Sequence, residues 1–186
     1  MNVDLNSVAT AKISDLRRLI EKSDSGQEKA EMLIAIAEIH RDMKEFDGAK
    51  SIYNESINNL KQNYGAHLGL LEIGYKTESR EKLIKKFYNL APGNRQICDD
   101  IVRLGIENEQ IDFTEKLLLG KVKDQNGNNE SIGNIYYSLA DLFYTEEHKT
   151  EALMYFRLAK QHFEKCFEKN HPALLSIANA IIELDS

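Results

Sequence analysis

The chain is poor in proline, in cysteine and in long apolar runs. Two prolines and ten glycines among 186 residues leave few points that interrupt a helix. Glu, Lys, Leu, Ile and Ala are abundant, and they are good helix formers or common helix residues. The dense runs of Val, Thr and aromatic residues that a sheet would need are missing. These absences predict an all-α fold.

The cysteines and charges limit where the chain works and what it binds. Cys98 and Cys166 are too few and too far apart for a disulfide framework, which favours a reducing compartment. No apolar stretch reaches the roughly 18 residues of a membrane span, and the first residues lack the features of an export signal. A formal net charge of −6 lacks the basic excess that phosphate binding needs. We therefore predict a cytoplasmic protein that binds neither nucleic acid nor membranes.

Motifs for catalysis and metal binding are also missing. There is no glycine-rich phosphate loop, serine elbow or paired-histidine metal motif, so we predict no catalytic residue, no cofactor and no metal. The loop 124–130 resembles the start of a calcium loop, but Ile135 stands where that loop needs a bidentate carboxylate. His40, His67 and Cys98 fall at helix-packing positions. An enzyme whose site is assembled from scattered residues remains a weaker alternative.

Two helical segments carry the same stripe of small, large and small residues at i, i+4 and i+7. The matching triplets are Ala49, Tyr53, Ser56 and Ala152, Phe156, Ala159. In each case an amphipathic helix and a short polar turn come first. Two helices joined by so short a turn pack as an antiparallel pair.

The two copies lie 103 residues apart, close to three units of about 34 residues, which predicts two weaker copies between them. Matched starts fall at Ala30, Tyr64, Arg95 and Gly133. The second copy has its turn at Thr77–Ser79. Its helices, and those of the third copy, carry bulkier residues at the small positions.

This pattern resembles that of tetratricopeptide repeats, in which helix A carries large and small residues in pairs and helix B carries Ala, aromatic, Ala. The outer copies match well and the middle copies poorly, with Leu71 and Val102 at small positions of helix A, and Leu83 and Thr114 at Ala positions of helix B. The resemblance implies an α-solenoid of antiparallel helix pairs, a right-handed superhelix with terminal capping helices.

The predicted organisation has three parts. Residues 1–27 form an N-terminal helix and loop, residues 28–166 the repeat domain, and residues 167–186 a C-terminal capping helix. The repeats span approximately 30–63, 64–94, 95–132 and 133–166. His171-Pro172 before the last helix is similar to the longer repeats of kinesin light chains. The apolar residues of that helix suit either a cap or a surface for a partner or a further segment, so contact between copies of the chain stays open.

In this family the inner positions of helix A line the concave surface, and the resemblance implies that they bind a protein or peptide. From these positions we select as candidate binding residues Ile34, Glu38, Arg41, Leu68, Glu72, Tyr75, Asp99, Arg103, Tyr137, Asp141 and Tyr144. Chaperone-binding members hold a terminal carboxylate with Lys and Asn, but Ile34, Glu38, Leu68 and Glu72 take those places here. An acidic C-terminal tail is therefore not the predicted ligand.

The tyrosines at these positions suit anchors, and the carboxylates suit the selection of a basic or neutral segment. The same charges would equally serve to solvate an exposed face. We predict a non-enzymatic scaffold that binds a protein or peptide segment in its groove. The alternative is a peptide-sensing regulatory domain that resembles bacterial quorum-peptide receptors.

Overall fold

The structure, a computed structural model, describes residues 5–75 and 80–186, and every regular element within these ranges is an α helix. The turn predicted at Thr77–Ser79 lies outside the described residues. In chain order the helices are α1 (Leu5–Lys22), α2 (Gly26–Asp42), α3 (Phe46–Asn59), α4 (Tyr64–Gly74), α5 (Arg80–Tyr88), α6 (Arg95–Glu107), α7 (Ile111–Lys123), α8 (Asn129–Thr145), α9 (Lys149–Phe163) and α10 (Pro172–Asp185).

The helices that open the four predicted repeats start in the same way. The side chains of Ser25, Asn63, Asn94 and Asn128 each accept a hydrogen bond from the backbone N–H three residues later, at the starts of α2, α4, α6 and α8. Such caps satisfy one of the backbone donors that the first turn of a helix leaves free, and each contributes about 1 kcal/mol. Helix α10 also starts with a side-chain cap, from His171, with Pro172 at its first position.

Helices α3, α7 and α9 are the second helices of their pairs, and each follows a turn of the same conformation. Lys44, Glu109 and Glu147 take the left-handed conformation, with φ of 62°, 56° and 61°. The next N–H in each turn donates to the carbonyl five residues back, as in Glu45 to His40 at 2.8 Å. These are Schellman turns, which satisfy the last carbonyls of the first helix. The repeated turn fixes the same short connection within three helix pairs.

The chain forms two compact units, residues 1–90 and 91–186. In the described part of the first unit, α2 packs on α3, α1 packs on α2, and α4 packs on both α3 and α5. The ring of Tyr53 lies directly over Gly69 of α4, where a Cβ atom would overlap it. Only glycine allows α3 and α4 this close an approach.

In the second unit, α8 and α9 form the most extensive pair, α6 and α7 both pack on α8, and α10 packs on α9. Ala152, Phe156 and Ala159 are all buried at this interface, as the stripe predicts. A Cβ at Gly133 of α8 would overlap the ring of Phe163. The equivalent stripe Ala49, Tyr53 and Ser56 is buried in the first unit. Small residues thus bring the backbones together and aromatic rings fill the remaining space.

The third predicted copy compensates for its bulky residues. Val102 stands where the repeat pattern prefers a small residue, and Thr114 stands where it prefers Ala; both are buried. Helices α6 and α7 approach each other closely at Gly105, one helical turn after Val102. A Cβ at Gly105 would overlap the Thr114 hydroxyl. That hydroxyl donates to the carbonyl of Gln110 at 2.8 Å, so its burial leaves no polar atom unsatisfied.

The C-terminal helix α10 buries one side and exposes the other. Leu174 and Ile177 are buried, whereas Leu175 is 53% exposed and Ile182 is 68% exposed. Helix α10 therefore covers the end of the α8–α9 pair and also leaves apolar surface open.

Candidate functional site

Helices α6 and α8 lie side by side in the second unit, and their facing side chains line an open cavity of about 530 Å³. We call this cavity the α6–α8 groove. Three of the candidate binding residues predicted from the sequence line it, and the full lining is Asp99, Val102, Arg103, Ile106, Glu107, Asp141 and Thr145. Val102 is buried and Ile106 half-buried, whereas the carboxylates are more exposed. The groove thus has an apolar floor and a charged rim.

Arg95 joins the two helices at one end of the groove. Its Nε donates to both oxygens of Asp99, at 2.6 and 2.8 Å, and its Nη2 donates to Asp141 Oδ2 at 2.5 Å. The Ser138 hydroxyl also donates to Asp99, at 2.6 Å. The guanidinium carbon lies 3.6 Å from the centre of the Tyr137 ring. One cation therefore serves two carboxylates and stacks on an aromatic face.

Arg103, about two helical turns after Arg95 on α6, makes a second set of ion pairs. Its Nη1 donates to Glu107 at 2.9 and 3.1 Å, and its Nη2 lies 3.5 Å from Asp100. Burial raises the pKa of Asp100, and the charge and hydrogen bond of Arg103 lower it in part. Two guanidinium groups thus face four carboxylates along this part of α6 and α8.

The Asp141 carboxyl has a raised pKa, about 6 instead of its ordinary 3.8. Burial is the largest cause, the neighbouring Asp99 adds to it, and the charge of Arg95 opposes it. A raised carboxyl pKa means that the folded state favours the protonated form. The stability it contributes is fully present below about pH 4 and is lost as the pH rises through about 6.

The candidate anchors Tyr137 and Tyr144 both reach α10. The Tyr137 hydroxyl lies 2.9 Å from the Ser176 hydroxyl, and the Tyr144 hydroxyl donates to Glu183 at 2.7 Å. The Tyr137 ring also meets Phe156 edge-on, with centroids 5.5 Å apart. Tyr144 is 43% exposed, so part of its ring is open to a partner. The structure brings these tyrosines beside the groove residues, and their role as anchors stays a prediction.

The candidate residues of the first unit form a separate set on α2 and α4. Arg41 and Glu72 form an ion pair between the two helices. Glu38 is exposed, whereas Ile34 and Leu68 are half-buried. Ile34 packs against the buried cluster of Ala37, Ala49, Tyr53 and Ala66, so part of its side chain serves the core.

Tyr75 corrects the prediction. We expect an exposed anchor at this position, but the side chain is completely buried. Helix α4 ends at Gly74, two positions earlier in the repeat than α2, α6 and α8, so Tyr75 is its C-cap residue. Counting positions from the start of helix A assumes that every copy continues to the same point, and α4 does not. Tyr75 belongs to the core and presents no surface to a partner in this structure.

Sequence reasoning left Arg95 and Ser138 out of the site. Both lie at positions outside the inner-face count, because Arg95 is the first residue of its helix and Ser138 lies between two inner positions. The i, i+4 spacing of Arg95 and Asp99 was a visible signal, since such pairs meet on one helix face. The contact from Arg95 to Asp141, 46 residues away, has no local signal.

The described residues hold no group of three or more His, Cys, Asp or Glu side chains placed to bind a metal ion. Cys98 is buried, as predicted, and burial raises its thiol pKa to about 12. Within residues 5–75 and 80–186, no helix is both long and apolar enough to cross a membrane.

In the part of the chain that the structure describes, these elements form an all-α helical-repeat fold, which confirms the predicted fold class. The crystal structure of BtubC (BKLC) from P. vanneervenii shares the fold, with a TM-score of 0.52 at 12% identity. The match covers 99% of this chain and 87% of BtubC.

Two further solved structures are similar to a lesser degree. TTC0263 from Thermus thermophilus, a thermophilic TPR protein, has a TM-score of 0.45 at 15% identity, covering 94% of this chain and 91% of its own. YrrB, a TPR protein with an unusual peptide-binding site, has a TM-score of 0.45 at 14% identity and 91% coverage of both chains. No family model and no curated protein sequence matches the chain.

Proposed function

We propose that the protein is a non-enzymatic interaction module that binds an extended segment of a partner protein in the α6–α8 groove. The observation that carries this proposal is the groove itself. Asp99, Arg103 and Asp141, chosen from repeat positions alone, line one cavity with an apolar floor. Protein-binding sites combine such a floor with a polar rim that selects the partner.

The dimensions and chemistry of the groove support a peptide segment as ligand. A cavity of about 530 Å³ accommodates a few side chains of an extended chain. Val102 and Ile106 offer apolar contact, and the charged rim fixes direction and register. The rigid helices on both sides hold these groups in place, so a ligand meets a preformed surface.

Site-specific photo-cross-linking in cells tests the proposal. A benzoylphenylalanine at Thr145, an exposed residue of the groove, should give discrete adducts with one or a few proteins. The same group at Gln161, an exposed residue of α9 outside the groove lining, is the matched control. Adducts that form only at position 145 and are lost in Asp141→Lys support the proposal. Equal adducts at both positions, or adducts unchanged by Asp141→Lys, would contradict it.

A further inference from the structure

The rim of the α6–α8 groove carries more negative than positive charge. The lining includes three carboxylates, Asp99, Glu107 and Asp141. Among the residues that the structure describes, their ion pairs are with two cations, Arg95 and Arg103. Both arginines already divide their donors between two carboxylates. An incoming cation would therefore find carboxylate charge that the chain itself neutralises only in part.

One carboxylate oxygen is open to such a cation. Arg95 donates to Oδ2 of Asp141, whereas Oδ1 accepts no hydrogen bond from the described part of the chain. The Asp141 side chain is 42% exposed and lines the cavity. Its pKa is raised by burial and by Asp99, so a second cation beside it would relieve an electrostatic cost already present.

The floor of the groove defines the rest of the ligand side chain. Val102, which is buried, and Ile106, which is half-buried, are the two apolar residues that line the cavity together with the carboxylates. A lysine has four methylene groups that bury against such a surface and an ammonium that stays at the polar rim. A norleucine side chain would make only the apolar contacts with Val102 and Ile106. A glutamate side chain would be repelled by the carboxylates of the groove.

We propose that the α6–α8 groove recognises a basic segment of its partner, with a lysine stem on Val102 and Ile106 and its ammonium between Asp141 and Glu107. This inference rests on the proposed function of the same groove and specifies its ligand chemistry.

A peptide library provides the test. The probe is a pool of N-acetylated and C-amidated decapeptides, random at nine positions and carrying lysine, norleucine or glutamate at a fixed central position. The full chain at pH 7.5 is mixed with the pool, retained peptides are counted by mass spectrometry, and hydrogen exchange locates their binding site. Lysine peptides should be retained about fivefold over norleucine peptides, the preference expected for a partly exposed charge pair. Glutamate peptides should be depleted.

Two variants and one control assign the preference to the groove. Asp141→Asn and Glu107→Gln should each lower the lysine-to-norleucine ratio toward one, whereas Glu151→Gln, on the exposed side of α9, should leave it unchanged. A variant that merely loosens the fold would lower the retention of both peptides together. The charged groups that face or neighbour Asp141 are Arg95, Asp99, Arg103 and Glu107. The ratio should also fall when the pH is lowered from 7.5 to 5, because Asp141, with its pKa raised to about 6, gains a proton in this range.

The outcomes separate this inference from the proposed function. Peptides that protect α6 and α8 from exchange with equal retention of lysine and norleucine would overturn the lysine inference and leave the groove as a binding site. A lysine preference that survives both Asp141→Asn and Glu107→Gln would also overturn it. If no peptide in the pool protects α6 or α8, the proposed function fails together with the inference.

Discussion

At the scale of single residues, glycines that allow a close approach differ sharply from those that do not. Gly133 lies under the ring of Phe163, whereas nothing lies within 4 Å of a Cβ at Gly120. Both residues lie in helices of the second unit. Because only Gly133 lacks space for a methyl group, substitution by alanine is expected to change the stability in opposite directions at the two positions.

We predict that Gly133→Ala lowers the free energy of unfolding by about 1 to 3 kcal/mol, because the added methyl group overpacks the α8–α9 interface. Gly120→Ala should raise it by up to about 1 kcal/mol, because alanine has the higher helix propensity. Denaturant unfolding followed by circular dichroism measures both. Equal effects of the same sign would contradict the packing described for Gly133.

The Asp141 carboxyl makes a second prediction at this scale. The folded state favours the protonated form of Asp141, so the charged form costs stability at pH 7. Replacing Asp141 with asparagine should therefore stabilise the protein more at pH 7 than at pH 4. We expect the unfolding free energy of Asp141→Asn, relative to the wild type, to rise by about 1 kcal/mol over this range, since the exposure of the side chain reduces the full effect. Parallel pH profiles of Asp141→Asn and the wild type would contradict the raised pKa.

At the scale of helices and turns, the three Schellman turns share a cost. Lys44, Glu109 and Glu147 occupy a conformation in which a Cβ crowds the backbone. We predict that Lys44→Gly raises the free energy of unfolding by up to about 1 kcal/mol. Lys50→Gly, a few residues later inside α3, should lower it by about 1 kcal/mol. Thermal melts of the two variants provide the measurement, and a loss of stability in Lys44→Gly would contradict the assigned turn.

The helix pairs were predictable from the sequence because the spacing of apolar residues reports directly which face of a helix is buried. The turns were less visible. Glycine usually marks the left-handed position at a helix end, and here Lys or Glu occupies it, so composition gave no signal. The burial of Tyr75 was not predictable for a similar reason. The residue at which α4 ends depends on tertiary packing, and the spacing of apolar residues within one helix does not report it.

Some residues of the candidate site were predictable from the sequence, and others were not. Asp99, Arg103 and Asp141 were predictable because they occupy repeated positions on an inner helix face, and they do line one groove. The bridge from Arg95 to Asp141 was not predictable, since it joins residues 46 positions apart through side-chain conformations. Repeat position therefore predicted three of the residues that line the groove, and tertiary contacts decide how their charges are shared.

At the scale of the whole molecule, side-chain burial is distributed unevenly along the chain. Helix α8 has nine buried residues, whereas α10 has two and the described side chains of α1 have none. We predict that native-state hydrogen exchange is slowest in α6 and α8, which have seven and nine buried residues, and fastest in α1 and α10, because helices with few buried side chains open locally. Peptide-resolved mass spectrometry measures the gradient. Uniform protection of all four helices would contradict it.

Position 137 is a suitable site for a fluorescent reporter. The chain contains no tryptophan, so its intrinsic fluorescence comes from eight tyrosines. Tyr137 has its ring beneath the Arg95 guanidinium and its hydroxyl beside Ser176. A tryptophan placed there would be the sole indole in the molecule, so its emission could be followed apart from that of the tyrosines. Its emission wavelength would then report changes in hydration around Arg95, the cation that pairs with Asp99 and Asp141 of the groove.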